Sequence, residues 1–109
     1  KLKKFDDLKI KDSICFIKID VEGLDHLVLY GMRNCIKKNL PVILVEYNFS
    51  NFDKIYVFLK KKYECYFYNF DENKLKKLKF SQIQSLKSGN IIENKFKKNS
   101  FNIFFIKKK

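Results

Sequence analysis

From Ile14 to Val21 the chain is a nearly continuous apolar run interrupted by Lys18, the pattern of a strand covered on both faces of a parallel sheet. The run stops at Glu22-Gly23, where glycine permits the turn into a helix. Apolar residues then return at helical spacing, at Leu24, Leu27, Val28, Gly31 or Met32, and Cys35, with Asp25, Arg33, Lys37 and Lys38 mostly between them. This spacing predicts one helix with a face built to lie on a sheet. Lys37 and Lys38 suit the negative end of its dipole, Asn39 can take a left-handed cap, and Pro41 forbids continuation, so the helix is expected to end near Asn39. Pro41 to Tyr47 (PVILVEY) then reads as a second buried strand, its proline at the first position, where a missing donor does least harm.

A strand, helix, strand crossover is right-handed and makes its strands parallel neighbours. Asp20, Glu22 and Glu46 therefore come to the same edge of the sheet, where open α/β sheets bind ligands. Farther on, Ser50 with Asp53 three positions later reads as a helix start, and Phe52, Ile55, Tyr56 and Leu59 form the apolar face of that helix. Lys60 to Lys62 crowd its last turn. Glu64 to Phe70 alternates loosely and reads as a strand. In the stretch 71–98, Leu75, Leu78, Ile83 and Leu86 hint at short helical pieces and Ser88-Gly89-Asn90 at a turn. Ser100 to Lys107 is another apolar run.

Three segments carry a family resemblance: IKIDVEG at Ile17 to Gly23, LYGM at Leu29 to Met32, and LPVILVEYN ending at Asn48. Together they resemble the second half of FkbM-type S-adenosylmethionine-dependent methyltransferases. KFDDLKI at Lys4 to Ile10 resembles the lead into the first strand, and FLKKKYECYFY at Phe58 to Tyr68 the next helix and strand. In that family the cofactor is held chiefly by the first strand with its glycine-rich turn and by an acidic residue after the second strand. Neither is matched here, since Gly23, Gly31 and Gly89 lie too far apart for such a loop. The resemblance thus implies an α/β fold, a partial Rossmann-like class I methyltransferase sheet of βαβαβ form followed by a final antiparallel strand, for which SFNIFFIK is the candidate. It implies a single incomplete domain over residues 1–109, the C-terminal half, with the N-terminal cofactor-binding half absent. The implied cofactor is S-adenosylmethionine, and the implied acceptor is a sugar or another small hydroxylated molecule. The missing half, or a partner chain, would join on the edge of the Ile14 to Val21 strand, because unpaired edges seek partners.

Length fits that view, because 109 residues make one small domain but are short for a complete doubly wound sheet. A hydrophobic content of 46% argues for a packed core. A formal net charge of +12 attracts phosphates and anionic lipid heads and keeps open a second class of function, a non-catalytic basic α/β remnant or binding module for nucleic acid or another anionic partner. Against it, Arg33 is the only arginine, and base recognition leans on arginine's planar fork. No leader pattern and no apolar run of membrane-spanning length is present, which makes a cytoplasmic location the expectation.

The candidate chemistry follows from residue type and place. Asp20, at the carboxyl end of a buried strand, can accept a proton from an acceptor hydroxyl as a general base, or can cap the following helix. Glu46 ends the neighbouring strand, where burial would raise its pKa and bring it beside Asp20; the plainer role is a strand-end residue paired with Lys18 or the turn backbone. Glu22 can bind substrate hydroxyls or favour the helix N-terminus, and Asn48 can contact substrate or form a turn. His26, the only histidine, reads as a solvated face or a substrate contact. Cys15, Cys35 and Cys65 are an odd number in separate apolar segments and read as reduced core residues, not as a zinc or disulfide framework.

Overall fold

The chain runs through a 3-10 helix at Phe5–Leu8, β1 (Phe16–Ile19), α1 (Asp25–Tyr30), α2 (Arg33–Asn39), β2 (Val42–Glu46), α3 (Phe52–Leu59), β3 (Tyr63–Asn69), β4 (Lys74–Lys77) and β5 (Asn102–Lys107). These elements come from a computed structural model that describes residues 3–21, 23–47, 51–79, 81–82 and 102–109. The strands form one mixed sheet in the order β1-β2-β5-β3-β4. β1 and β2 are parallel, with Phe16 opposite Val42 and Ile19 opposite Val45. β5 enters antiparallel to both its neighbours, β2 and β3. The expected final antiparallel strand is therefore present and lies inside the sheet.

Register aligns the core in rows across the strands. Ile17, Ile43, Phe105 and Cys65 form one row and Ile19, Val45, Ile103 and Phe67 the next. All but Phe67 are buried, and they share one core with Leu29, Met32 and Ile36 from α1 and α2 and with Phe52, Ile55 and Leu59 from α3. The apolar face foreseen for α3 is thus the one that packs. On the opposite face of the sheet Phe16 and Lys18 are exposed and Val42, Leu44, Phe104, Ile106 and Tyr66 are half-buried. β1 is covered on one face only, not on the two that its composition suggests.

The single helix expected between β1 and β2 is two. α1 closes at Gly31, Met32 sits at the start of α2 with φ −111°, and the pattern resumes from Arg33. The buried stripe keeps Gly31 and Met32 from the expected one and otherwise differs. Asp25, His26, Leu29, Met32 and Ile36 face inward, while Leu24, Leu27 and Val28 are exposed. Both sets recur at helical spacing, and α1 settles the choice by packing on α3. α2 ends at Asn39 as expected, but Leu40 takes the left-handed cap at φ 46°, and the Asn39 amide instead donates to the Cys35 carbonyl at 3.1 Å. α3 begins after Asn51, which makes no side-chain cap bond. Ser50 lies outside the described residues, as do Ile83, Leu86 and the turn at residues 88–90. Leu75 falls in a strand, β4, where a helical piece was expected. Cys35 is half-buried and Cys65 buried as foreseen, whereas Cys15 is exposed.

Candidate functional site

β1 and β2 point their carboxyl ends the same way, so Asp20, one residue beyond β1, and Glu46, the last of β2, come to one edge. The turn leading from β1 passes through Gly23, whose φ of 76° is one that L side chains rarely adopt. It delivers Asp25 to the first turn of α1 and to the same edge. Asp20 and Glu46 are exposed, whereas Asp25 is only 3% exposed. Burial pushes the Asp25 carboxyl above the ordinary carboxylate range, the charges of Asp20 and Glu46 push it further, and its own backbone N–H and His26 pull part of the way back. Asp20 and Glu46, two of the three acids foreseen on this edge, are thus joined by Asp25.

His26 follows into the interior at 9% exposure, which replaces the solvated position expected for it. Its Nδ1 lies 3.5 Å from the Asn51 Nδ2, and its ring meets Tyr30 edge to face at 5.8 Å between centroids. Tyr30 in turn stands edge to face with Phe58 of α3 at 4.9 Å, so the imidazole is held between two helices. Asn51 is 2% exposed, and its Oδ1 is buried without a hydrogen-bond partner among the described residues. A buried carbonyl oxygen in that state is costly unless a donor reaches it.

Glu22 and Asn48, the two other residues expected at this edge, lie outside the described residues. Asp25 and Asn51 are what sequence reasoning missed. Asp25 carried a signal, a carboxylate two residues beyond a glycine turn at the carboxyl end of a strand. Asn51 carried none, because a helix start at Ser50 left it inside the first turn.

Arranged this way, the edge can accept hydrogen bonds from hydroxyl groups and take up a proton. Among the described residues no group of three or more His, Cys, Asp or Glu is placed to hold a metal ion, and no helix is long and apolar enough to cross a membrane. The described residues do not fit an adenosyl cofactor by themselves. The chain has no glycine-rich strand turn, and clefts lined by Phe5 and Cys35, by Tyr30 and Val57, and by Arg33 and Tyr63 exclude Asp20, Asp25 and Glu46 from their walls.

A mixed sheet that begins with a parallel strand pair, closes on an inserted antiparallel strand and carries its acids at the carboxyl edge defines a partial Rossmann-like α/β protein. The methyltransferase FkbM domain matches residues 2–72, well over half of the chain, and the chain belongs to that family. The match spans β1 through β3, and with them Asp20, Asp25, His26, Glu46 and Asn51. No curated protein and no solved structure matches the chain.

Proposed function

We propose that this chain is the C-terminal, acceptor-handling half of an S-adenosylmethionine-dependent O-methyltransferase acting on a sugar or another small hydroxylated molecule. The observation that carries the reading is the convergence of Asp20, Asp25 and Glu46 on one strand edge, with the Asn51 Oδ1 buried and unanswered nearby. Hydroxyl hydrogens are the donors such an edge suits. Asp20 and Glu46, both exposed, are the groups an acceptor reaches, and either can take the hydroxyl proton as the oxygen becomes a nucleophile. Asp25, whose carboxyl burial holds above the ordinary range, can accept a proton passed inward. His26 and Asn51 form the inner wall, and Glu22 and Asn48 are assigned to substrate contact.

The half-domain assignment draws support from the apolar surface around β1. β1 pairs on one side with β2, and Phe16, Val21, Leu24 and Leu27 are each more than two-fifths exposed on the strand and the turn and helix that follow it. A strand edge flanked by apolar side chains is a surface made to be covered. The cofactor pocket is assigned to the segment or chain that covers it.

The test is co-expression with the polypeptide encoded immediately upstream, followed by radiolabelled methyl transfer to a panel of sugars. Transfer is expected to require both parts. Asp20→Asn or Glu46→Gln is expected to lower kcat by about 10²-fold or more while cofactor affinity, read by calorimetry, holds. Transfer by this chain alone, or full activity in both variants, would overturn the reading.

A further inference from the structure

At the opposite end of the sheet from the three acids, α2 and α3 finish side by side and leave a cleft of about 350 Å³ over the start of β3. Its floor is apolar, with Ile36, Leu59 and Tyr63 buried and Phe58 half-buried. Its rim is cationic: Arg33, Lys37, Lys61 and Lys62 border it, and among the described residues no acidic one lines it. The ion pairs of Lys74, Lys76 and Lys77 lie elsewhere, and Arg33, Lys37, Lys61 and Lys62 are in none of them.

Two ordinary roles can be weighed against that arrangement. Lysines at helix ends answer the dipole, and the chain is rich in lysine throughout. The two helix ends together present about one negative charge, however, whereas the rim carries four positive ones, among them the only arginine of the chain. A solvated lysine face also needs no apolar floor beneath it. Cations ringing a concave apolar surface match a ligand with both parts, an apolar body and an anionic head. The volume accommodates one small molecule and is too small for a polymer to be held within it.

We infer that this cleft is a second binding site, independent of the methyl-transfer reading, for a soluble amphiphilic anion: an aliphatic chain ending in a phosphate or carboxylate. The aliphatic chain lies on Ile36, Phe58 and Leu59, and Arg33 with the three lysines holds the head by charge-assisted hydrogen bonds. The apolar floor is what sets this ligand apart from a nucleic acid backbone, which would use the rim and leave the floor empty.

Octyl phosphate, kept monomeric and titrated calorimetrically into the chain at physiological salt, tests this against octanol and inorganic phosphate. One saturable site is expected, with octanol and phosphate each weaker by about tenfold or more. Lys37→Glu with Lys61→Glu is expected to weaken octyl phosphate by about tenfold or more, while Lys3→Glu with Lys11→Glu, the same change in net charge elsewhere, leaves it unaltered. Circular dichroism confirms that both variants fold, and Arg33→Gln supplies a single-site check if one does not. Equal binding of octanol, absence of saturable binding, or equal loss in both charge-reversed variants would overturn the inference. So would a site that answers only to anionic vesicles or only to a nonspecific oligonucleotide, which would make the rim a membrane or nucleic-acid surface.

Discussion

Asp6 caps a helix that begins far along the chain: its Oδ2 accepts the backbone N–H of Asn34 at 2.9 Å, and its Oδ1 that of Cys35 at 3.1 Å. Met32, at the start of α2, has no side chain able to do this. A carboxylate from the 3-10 helix therefore satisfies the orphan donors of α2 and fastens the N-terminal segment to it, with the Asp6 N–H donating to the Gly31 carbonyl at 3.0 Å as a second tie. Asp6→Ala is expected to cost about 1–2 kcal/mol in urea unfolding. Asp6→Asn should fall between, since an amide keeps one acceptor and turns a donor toward the other N–H. A variant as stable as the parent would show that the cap contributes nothing.

Tyr63 donates from its hydroxyl to the Pro41 carbonyl at 2.7 Å, joining the first residue of β3 to the residue before β2. Tyr63→Phe leaves that buried carbonyl unanswered and is expected to lower stability by about 1–3 kcal/mol, measured by urea denaturation at neutral pH.

Alkaline pH should unfold the protein through two groups in the core. Burial pushes the Tyr63 hydroxyl from an ordinary 10 up to about 12 and the Cys65 thiol from 9 to about 12. Both are raised in the folded state, so their contribution is complete below the ordinary values and is lost as pH climbs from about 9 to about 12. Denaturation series across that window should show falling midpoints, with a shallower fall in Tyr63→Phe than in the parent. A flat profile would mean that neither group is buried in solution.

At neutral pH the Asp25 carboxylate is held where its charge is unwelcome. Its raised pKa means that the protonated form favours folding, a contribution present below the ordinary 3.8 and lost as pH rises through the folded value. Asp25→Asn is therefore expected to raise the thermal midpoint at pH 7, by an amount that shrinks as pH falls toward 4. In the two-part enzyme proposed above the same change should reduce methyl transfer. Stability gained where activity is lost marks a residue kept for chemistry.

Phe105 is fully buried, flanked in register by Ile43 and Cys65, with its ring 6.0 Å from that of Phe52. Phe105→Ala is expected to cost about 3–5 kcal/mol in urea unfolding, a large share of the roughly 5–15 kcal/mol that holds such a domain together. A variant with the parent's unfolding free energy would contradict its central place.

Where local pattern and tertiary packing agree, the elements could be read from the chain. Pro41 marked the start of β2, the lysines at 37 and 38 marked the end of α2, and Phe52, Ile55 and Leu59 marked the packed face of α3. Reading failed where two solutions were locally equal. Leu24, Leu27 and Val28 repeat as well as Leu29, Met32 and Ile36 do, and only the contact between α1 and α3 selects the second set and carries Asp25 and His26 inward. β4 was missed for a different reason. Its sequence KLKK has little strand propensity, and it is held as an edge by β3 and by the Lys77 to Glu64 pair at 3.2 Å; lysine-rich edges are a known protection against unwanted pairing and were the available clue. For the site, Asp20 and Glu46 were legible because strand ends can be located from sequence. The inward side chains of Asp25 and Asn51 depend on how the helices settle.

The position of β5 has a consequence for biosynthesis. β2 and β3 lie two places apart in the sheet, and the strand between them is made of residues 102–107. While a ribosome is still synthesising those residues, the β1–β2 and β3–β4 ladders have no β5 to join them, and the flanks of both stand open. Closure waits on translation of the distant strand, and such a nascent chain is exposed to chaperones for as long as that takes.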